Sequence, residues 1–319
     1  MWHGIPITVG VDTRDKWLEA RRAGIGASDV AGIVGLSPYT SPYQVWASKV
    51  YGTSQADNES MRWGRLLEDA VISAFCEDRG MRVEDRQLLV RHPEIPWAMA
   101  TIDGIAYETG DIGPADGEVL THESPNYYRR LHAIGGVQAK TDNSYGTWDE
   151  LPDHIRCQTQ WEMFVTGLEH TFVPVLHGGR TFKVYEEPAS STVQQALLRQ
   201  ATKFWVDHIE SGVAPEVDAM DGTTRVLSEL WEGTGDETEL SASARADLKL
   251  LLEVRRQKKR ALDEETRLTN RLKSILENDP VGTVNGRKVV SWIRQSRKGY
   301  YVEPSEFRSF RISKEAENV

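Results

Sequence analysis

The sequence predicts an α/β fold with an appended helical arm, on three observations. Apolar residues at helical spacing fill most of 14–80 and 151–212, short extended runs occupy the interval between them, and a polar, acidic stretch at 216–245 precedes a long charged helical segment. The 319 residues suffice for one large domain or two modest ones, and the composition shift divides them at 1–222 and 223–319. With 39% apolar and 27% charged residues, the chain has the make-up of an ordinary soluble globular protein. No apolar run approaches the roughly 18 residues of a membrane span. "MWHGIPITVG" has no basic segment leading into an apolar one, so no signal peptide is expected. Cys76 and Cys157 lack metal-ligand spacing and read as buried thiols in a reducing cytosol.

Each element has its own signal. "RDKWLEARR" (14–22) reads as a short helix with Trp17 and Leu18 inward. In "GIGASDVAGIVG" a Gly-rich turn leads into an apolar helix whose free N–H groups Ser28 or Asp29 would cap. "SPYTSPYQVWASKVYG" opens a second helix, with Ser41 as its cap and Pro42 in its first turn. "NESMRWGRLLEDAVISAFCEDRG" is a longer helix stopped by Gly80. "RVEDRQLLVRHP", "WAMATIDGIAYE" and "AIGGVQAKT" read as strands of a small sheet, the last after a polar excursion at 110–136. "LPDHIRCQTQWEMFVTG" is a helix running from Pro152 and Asp153 to Gly167. A hairpin across His177-Gly-Gly-Arg180 and another helix at 190–212 follow. Leucines at 248, 251, 252, 262, 268 and 272 keep no strict heptad, so 241–278 reads as a helical hairpin or long arm rather than a coiled coil. The end reads as strands around the Asn285-Gly286 turn.

Four pieces stand in an order that carries chemistry. Glu68 lies on a helix in "WGRLLED", Asp103 ends a strand in "ATIDG", Gln138 and Lys140 lie two apart in "VQAKT", and Gln158 and Gln160 lie in "CQTQWEMFVTG". Residues i and i+2 of a strand share a face. An acidic residue at 138 would therefore project with Lys140 beside Asp103. Carboxylates gathered there suit Mg²⁺, which takes oxygen ligands. The metal would activate a water, and Lys140 would orient or deprotonate it and stabilise charge developing on a phosphate. Singly, each signal is weak: Asp-Gly is more often a turn than a ligand, Glu68 alone is an exposed helix residue, and Gln158 alone is a polar helix face. The ordered set is far more specific. A net charge of -10 argues against a nucleic-acid partner, but its distribution does not. From Arg245 onward 18 basic residues face 11 acidic ones, a net of +7; the preceding residues carry 20 against 37, a net of -17. An acidic body suits a site that collects cations, and a basic appendage suits phosphate; the bland reading of the tail is a solvated charged helix.

The ordered series "WLEARRAGIGASD", "LSPYTSPYQVW", "WGRLLEDAV", "ATIDG", "VQAKT" and "QTQWEMFVTG" resembles the YqaJ-like viral recombinases, phage nucleases related to the lambda exonuclease, over about residues 15–215. The resemblance implies a restriction-endonuclease-like core, a mixed sheet flanked by helices, with a PD-(D/E)-x-K site. It implies Mg²⁺-dependent (or Mn²⁺-dependent) 5′-to-3′ digestion of one strand of linear double-stranded DNA. The product is a 3′ single-stranded tail for a single-strand annealing protein in phage recombination. By motif, Asp103 is the central metal ligand, Lys140 the catalytic lysine and Glu68 a second metal-site carboxylate, with the Ala139 carbonyl also on the metal. Arg21 and Ser28 match the grip on a terminal 5′ phosphate, with the helix N-terminus after Gly26 adding donors. Gln158 matches a glutamine near the nucleophilic water. Relatives form rings, which implies a homo-oligomer, and a phage-encoded protein of this kind works in the cytoplasm of its bacterial host.

Gln138 departs from the pattern, which has Glu there. An amide keeps the shape and loses the charge, so it binds Mg²⁺ poorly and cannot help lower the pKa of a water. Two explanations stay open: a near-isosteric substitution that traps DNA uncut, or natural divergence toward DNA binding with little cleavage. Two rival functions follow, a DNA-end-binding module without turnover and an adaptor whose helical arm recruits the annealing protein.

Overall fold

The computed structural model describes residues 3–7, 14–53, 58–109, 133–231 and 237–296. They form two compact units, 1–232 and 233–319.

The first unit opens with four helices whose ends follow their capping residues: α1 (Arg14–Arg22), α2 (Ala27–Ile33), α3 (Pro42–Val50) and α4 (Glu59–Arg79). Ser41 caps α3, accepting from the Gln44 N–H at 3.2 Å while Gln44 Oε1 accepts from the Ser41 N–H at 3.0 Å. Asn58 caps α4, and Gly80 ends it at φ 62°. The start of α2 differs from the expected Ser28 or Asp29 cap. Gly26 is the cap residue, and Asp29 reaches back to its N–H at 2.8 Å. A Cβ on Gly26 would lie 3.2 Å from Asp29 Oδ2 and 3.3 Å from Arg21 Nη2, so both side chains pack closely on this cap. Ser28 sits inside the helix, with its hydroxyl free to meet Arg21.

Two sheets follow. Strands β1 (Ile5–Pro6), β3 (Leu88–Arg91) and β4 (Met99–Ile102) form one, in the order β1-β3-β4. The larger is mixed, in the order β2 (Met81–Glu84), β5 (Gly104–Glu108), β6 (Ala133–Val137), β8 (His170–His177), β7 (Lys140–Asp142), with β9 (Thr181–Pro188) also pairing β8. The polar excursion predicted at 110–136 lies outside the described residues as far as 132; β6 begins at Ala133. Strands β6 and β7 both run parallel to β8 in one continuous register, Val137 opposite Phe172 and Lys140 opposite Val175. They are one line of chain interrupted at Gln138 and Ala139.

Helix α4 covers one face of this sheet and α5 (Asp153–Thr166) the other. Neighbours on β8 divide accordingly: Phe172 packs with Phe75 and Ile72 of α4, and Val173 with Ile155 of α5. Trp161 of α5 is wholly buried and donates its Nε1–H to the Met99 carbonyl at 3.0 Å, tying α5 to the small sheet. Gln160 is equally buried and braces β9, its amide meeting Glu187 Oε1 and the Pro188 carbonyl at 2.8 Å each. It is a structural residue, outside the cleft described below.

Helix α6 (Ser191–Phe204) completes this core. The first unit then runs past the expected division at 222, because α7 (Asp221–Leu230) belongs to it. Thr223 and Val226 are buried, and Thr223 Oγ1 lies 2.8 Å from the Ser41 hydroxyl. The second unit contains one continuous helix, α8 (Ala242–Leu276), where the sequence left a hairpin or an arm open. The hairpin of β10 (Val281–Val284) and β11 (Arg287–Ser291) turns at Asn285 and Gly286, φ 51° and 76°. The end of the predicted strand region, from 297 on, lies outside the described residues. No described helix is long and apolar enough to cross a membrane.

Candidate active site

One cleft of about 420 Å³ gathers eight of the residues singled out from the sequence, Gln160 being the exception: Arg21 of α1, Ser28 of α2, Glu68 of α4, Asp103, Gln138, Ala139, Lys140, and Gln158 of α5. Asp103 sits between β4 and β5, where the chain passes from the small sheet to the large one. Gly104 allows this crossing, since a Cβ there would lie 2.3 Å from Val83 Cγ1. At the interruption after β6 the Gln138 N–H still donates to the Phe172 carbonyl of β8 at 2.9 Å, and Gln138 and Ala139 both line the same cleft.

The Asp103 end of the cleft is buried and incompletely satisfied. Gln138 Nε2 donates to Asp103 Oδ2 at 2.6 Å, and the Ala139 N–H donates to the same oxygen at 3.0 Å. Gln138 Oε1 is buried without a hydrogen-bond partner among the described residues. Burial, with help from the negative charge of Glu68, raises the Asp103 pKa to about 6, although Lys140, the Ala139 N–H and Arg86 pull it down. Glu68 lines the cleft, but its Oε1 accepts from Arg86 at 3.1 Å and Gln87 at 2.6 Å.

Oxygen donors here fit Mg²⁺: a carboxylate from Asp103, the orphaned amide oxygen of Gln138 and the neighbouring Ala139 carbonyl. Among the described residues no three His, Cys, Asp or Glu side chains gather closely enough to hold a metal by themselves. Such a set supplies one full charge and leaves the remaining positions to water, which Mg²⁺ accepts readily.

The Arg21 end of the cleft is held by a network of side chains. Arg21 Nη2 donates to Ser28 Oγ at 3.0 Å, and its guanidinium lies 4.7 Å from the Trp17 ring centre. Lys49 bridges the Arg21 carbonyl (3.0 Å) and Asp29 Oδ2 (2.7 Å). Lys49 and Arg21 outweigh the burial of Asp29, whose pKa is lowered.

Sequence reasoning missed two groups here. The Asp29–Lys49 pair joins residues on different helices and has no local signal. Glu162 sits one turn after Gln158 on α5, is 3% exposed, and accepts from Gln158 Nε2 at 2.9 Å. Burial first, then the charge of Asp103, raises its pKa to about 8, with Lys140 and the Gln158 amide opposing. An acidic residue among Trp161, Met163 and Phe164 was the available hint.

Residues 16–169 match the profile of the YqaJ-like viral recombinase domain. Over this segment the chain is similar to that family, as its motifs indicated. It is 25% identical over 282 residues to the uncharacterized protein YqaJ of Bacillus subtilis, covering 85% of this chain and 81% of the relative. Among solved structures it is similar to an alkaline exonuclease from Laribacter hongkongensis, with 17% identity, 62% of this chain and 93% of that one covered, and a TM-score of 0.46. A phage-related exonuclease from Haemophilus somnus 129PT shares 10% identity, with 60% and 96% covered and a TM-score of 0.42.

Proposed function

We propose that this chain is a Mg²⁺-dependent deoxyribonuclease that digests one strand of linear duplex DNA in the 5′-to-3′ direction, slowed by Gln138. The observation that carries the reading is the meeting of Asp103 and Lys140 with Arg21 and Ser28 in a single cleft. A site that hydrolyses a terminal nucleotide needs a phosphate grip and a hydrolytic centre side by side.

Asp103, the Gln138 amide oxygen and the Ala139 carbonyl would hold the cation, with Glu68 recruited from its contact with Arg86. When bound, Mg²⁺ supplies Lewis acidity toward the scissile phosphate and its attacking water. Lys140 orients that water and offsets charge developing on the phosphate. Gln158 positions the water from α5. Arg21 and Ser28 hold the terminal 5′ phosphate by charge-assisted hydrogen bonds, which sets the polarity of digestion.

The family's description as a viral recombinase supports a role for the product, a 3′ single-stranded tail handed to a single-strand annealing protein. A homo-oligomeric ring closed around the duplex and the host cytoplasm as the place of work belong to the same proposal, as does a phosphate-meeting role for the basic C-terminal unit. Truncation after about residue 240 tests that last part.

The test is a linear duplex labelled at one 5′ end and, separately, at one 3′ end. Early release of the 5′ label, dependent on Mg²⁺ and on a 5′ phosphate, supports the reading; release of the 3′ label first contradicts it. A second reading, end binding without turnover, draws on the Gln138–Asp103 hydrogen bond, which occupies an oxygen the cation needs. Tight binding of duplex ends without cleavage at any Mg²⁺ concentration would favour it.

A further inference from the structure

We infer that Arg86 is a built-in rival of the cation at Glu68: its guanidinium competes with a divalent, oxygen-seeking cation for that carboxylate and has Asp69 as its place of retreat. The inference rests on the metal-dependent reading above and adds to it a group that sets how readily the site takes its cation.

The turn between β2 and β3 is built to place this guanidinium. Asp85 and Gln87, on either side of Arg86, have φ of 52° and 53°, the left-handed region that side chains other than glycine seldom adopt. Strain of this kind persists only where the surroundings hold it, and it gathers at functional sites. Here the hydroxyl of the buried Tyr107 donates to Asp85 Oδ2 at 2.7 Å. The stem of Arg86 lies against Gly104, where a Cβ would come within 3.2 Å of Arg86 Cδ. Arg86 Nε donates to the Asp103 carbonyl at 2.8 Å. With Nε anchored there, the outer end of the side chain reaches α4.

On α4 one nitrogen meets two carboxylates. Arg86 Nη2 lies 3.1 Å from Glu68 Oε1 and 2.8 Å from Asp69 Oδ1. The two acids differ in setting. Glu68 lines the cleft with Asp103 and its side chain is 19% exposed, whereas Asp69 is 88% exposed. A guanidinium is always charged, so a cation approaching Glu68 meets a like charge already in contact with it. The exchange is local. Giving up the longer contact, to Glu68, leaves Arg86 with Asp69 and the Asp103 carbonyl. Gln87 also donates to Glu68 Oε1, at 2.6 Å, but it is neutral and steadies the carboxylate without opposing a cation. Gln138 thus leaves the cleft short of one negative charge, and Arg86 offsets another.

The experiment is Mn²⁺ titration of the full chain by calorimetry, without DNA, for the parent, Arg86→Gln, Asp69→Asn and the double variant, with circular dichroism to confirm folding. Arg86→Gln is expected to tighten Mn²⁺ binding by about tenfold, since a like charge is removed from a partly buried site. A merely structural arginine would not give a gain. Asp69→Asn takes away the place of retreat and is expected to weaken binding. The double variant should bind as tightly as Arg86→Gln, because Asp69 acts through Arg86. Unchanged or weaker binding in Arg86→Gln, a double variant in which the two effects simply add, or no Mn²⁺ binding by any of the four proteins would each overturn the inference. If Arg86→Gln does not fold, Asp69→Asn decides alone, and unchanged affinity there overturns it. Cleavage is read separately: if all four proteins saturated with Mn²⁺ leave the duplex intact, the nuclease reading fails while the binding result still decides the role of Arg86.

Discussion

The two ends of the cleft are built on opposite principles. At the Arg21 end the polar groups have partners within the protein: Arg21 meets Ser28 and Trp17, and Lys49 meets Asp29 and the Arg21 carbonyl. At the Asp103 end burial, with the charge of Glu68, raises the Asp103 pKa to about 6; burial, with the charge of Asp103, raises that of Glu162 to about 8; and Gln138 Oε1 has no hydrogen-bond partner among the described residues. The first end is pre-organised and stable while empty, so a 5′ phosphate would meet donors already aimed. The second end stores unfavourable electrostatics that a cation would relieve. Stability and readiness for ligand are thus separated within a single cleft.

The sharpest way to break this contrast is Asp103→Ala. It is expected to abolish cleavage while leaving the fold intact, since it removes the carboxylate around which the Asp103 end is arranged. Cleavage as fast as the parent's would remove Asp103 from the site. At the other end, Lys49→Met leaves Asp29 half-buried without its main partner. Breaking a buried pair costs roughly 3–5 kcal/mol, so urea unfolding of this variant should show a lowered midpoint. A midpoint equal to the parent's would mean that the network is not what holds this end.

Arg21→Ala is a smaller test of the same network. A charge-assisted contact to phosphate is worth roughly 1.5–3 kcal/mol, about ten- to a hundredfold. The parent should prefer 5′-phosphate over 5′-hydroxyl ends by such a factor, and the variant should lose the preference. Equal handling of both ends by the parent would count against the assignment.

A further effect lies in pH. Glu162 binds its proton more tightly when folded, with a pKa of about 8, than when unfolded, where it lies in the ordinary glutamate range. Between those two values the folded state keeps a proton that the unfolded state has released, so stability is lost as pH rises through about 8. Asp103, raised to about 6, contributes with the same sign at lower pH. In a chelating buffer the melting temperature of the parent should therefore fall more steeply from about pH 6 to about pH 9 than that of Glu162→Gln. Parallel slopes would show that Glu162 is not the buried acid described here.

What the sequence made legible follows the range of the physics involved. Caps at Ser41 and Gly80 and the turn at Asn285-Gly286 are settled by a few adjacent residues and could be read directly. The meeting of Asp103 with Gln138, Lys140, Arg21 and Ser28 was legible only through the ordered motifs, since no local signal joins residues tens of positions apart. Strand β1 is two residues long, too short for any periodicity, and exists through its pairing with β3. The division of the chain was read ten residues early, because α7 sits in a polar stretch and is held by Thr223 and Val226 packing on distant partners. Glu162 was missed for the same reason as the Asp29–Lys49 pair: a glutamate on a helix reads as solvent-facing, and only tertiary packing buries it.

Gln138 lies at the centre of the account, and one pair of proteins tests it. The parent and Gln138→Glu are given the same 5′-phosphorylated linear duplex across a Mg²⁺ titration, with DNA binding measured alongside. Affinity for duplex comes mostly from basic contacts to phosphates and should be shared by both forms. The glutamate form is expected to cleave faster by orders of magnitude and to saturate at lower Mg²⁺, because charge is added where the Asp103 end is deficient. If the glutamate form is as inert as the glutamine form while both bind DNA equally, the chain is a DNA-end-binding protein and the nuclease reading is wrong.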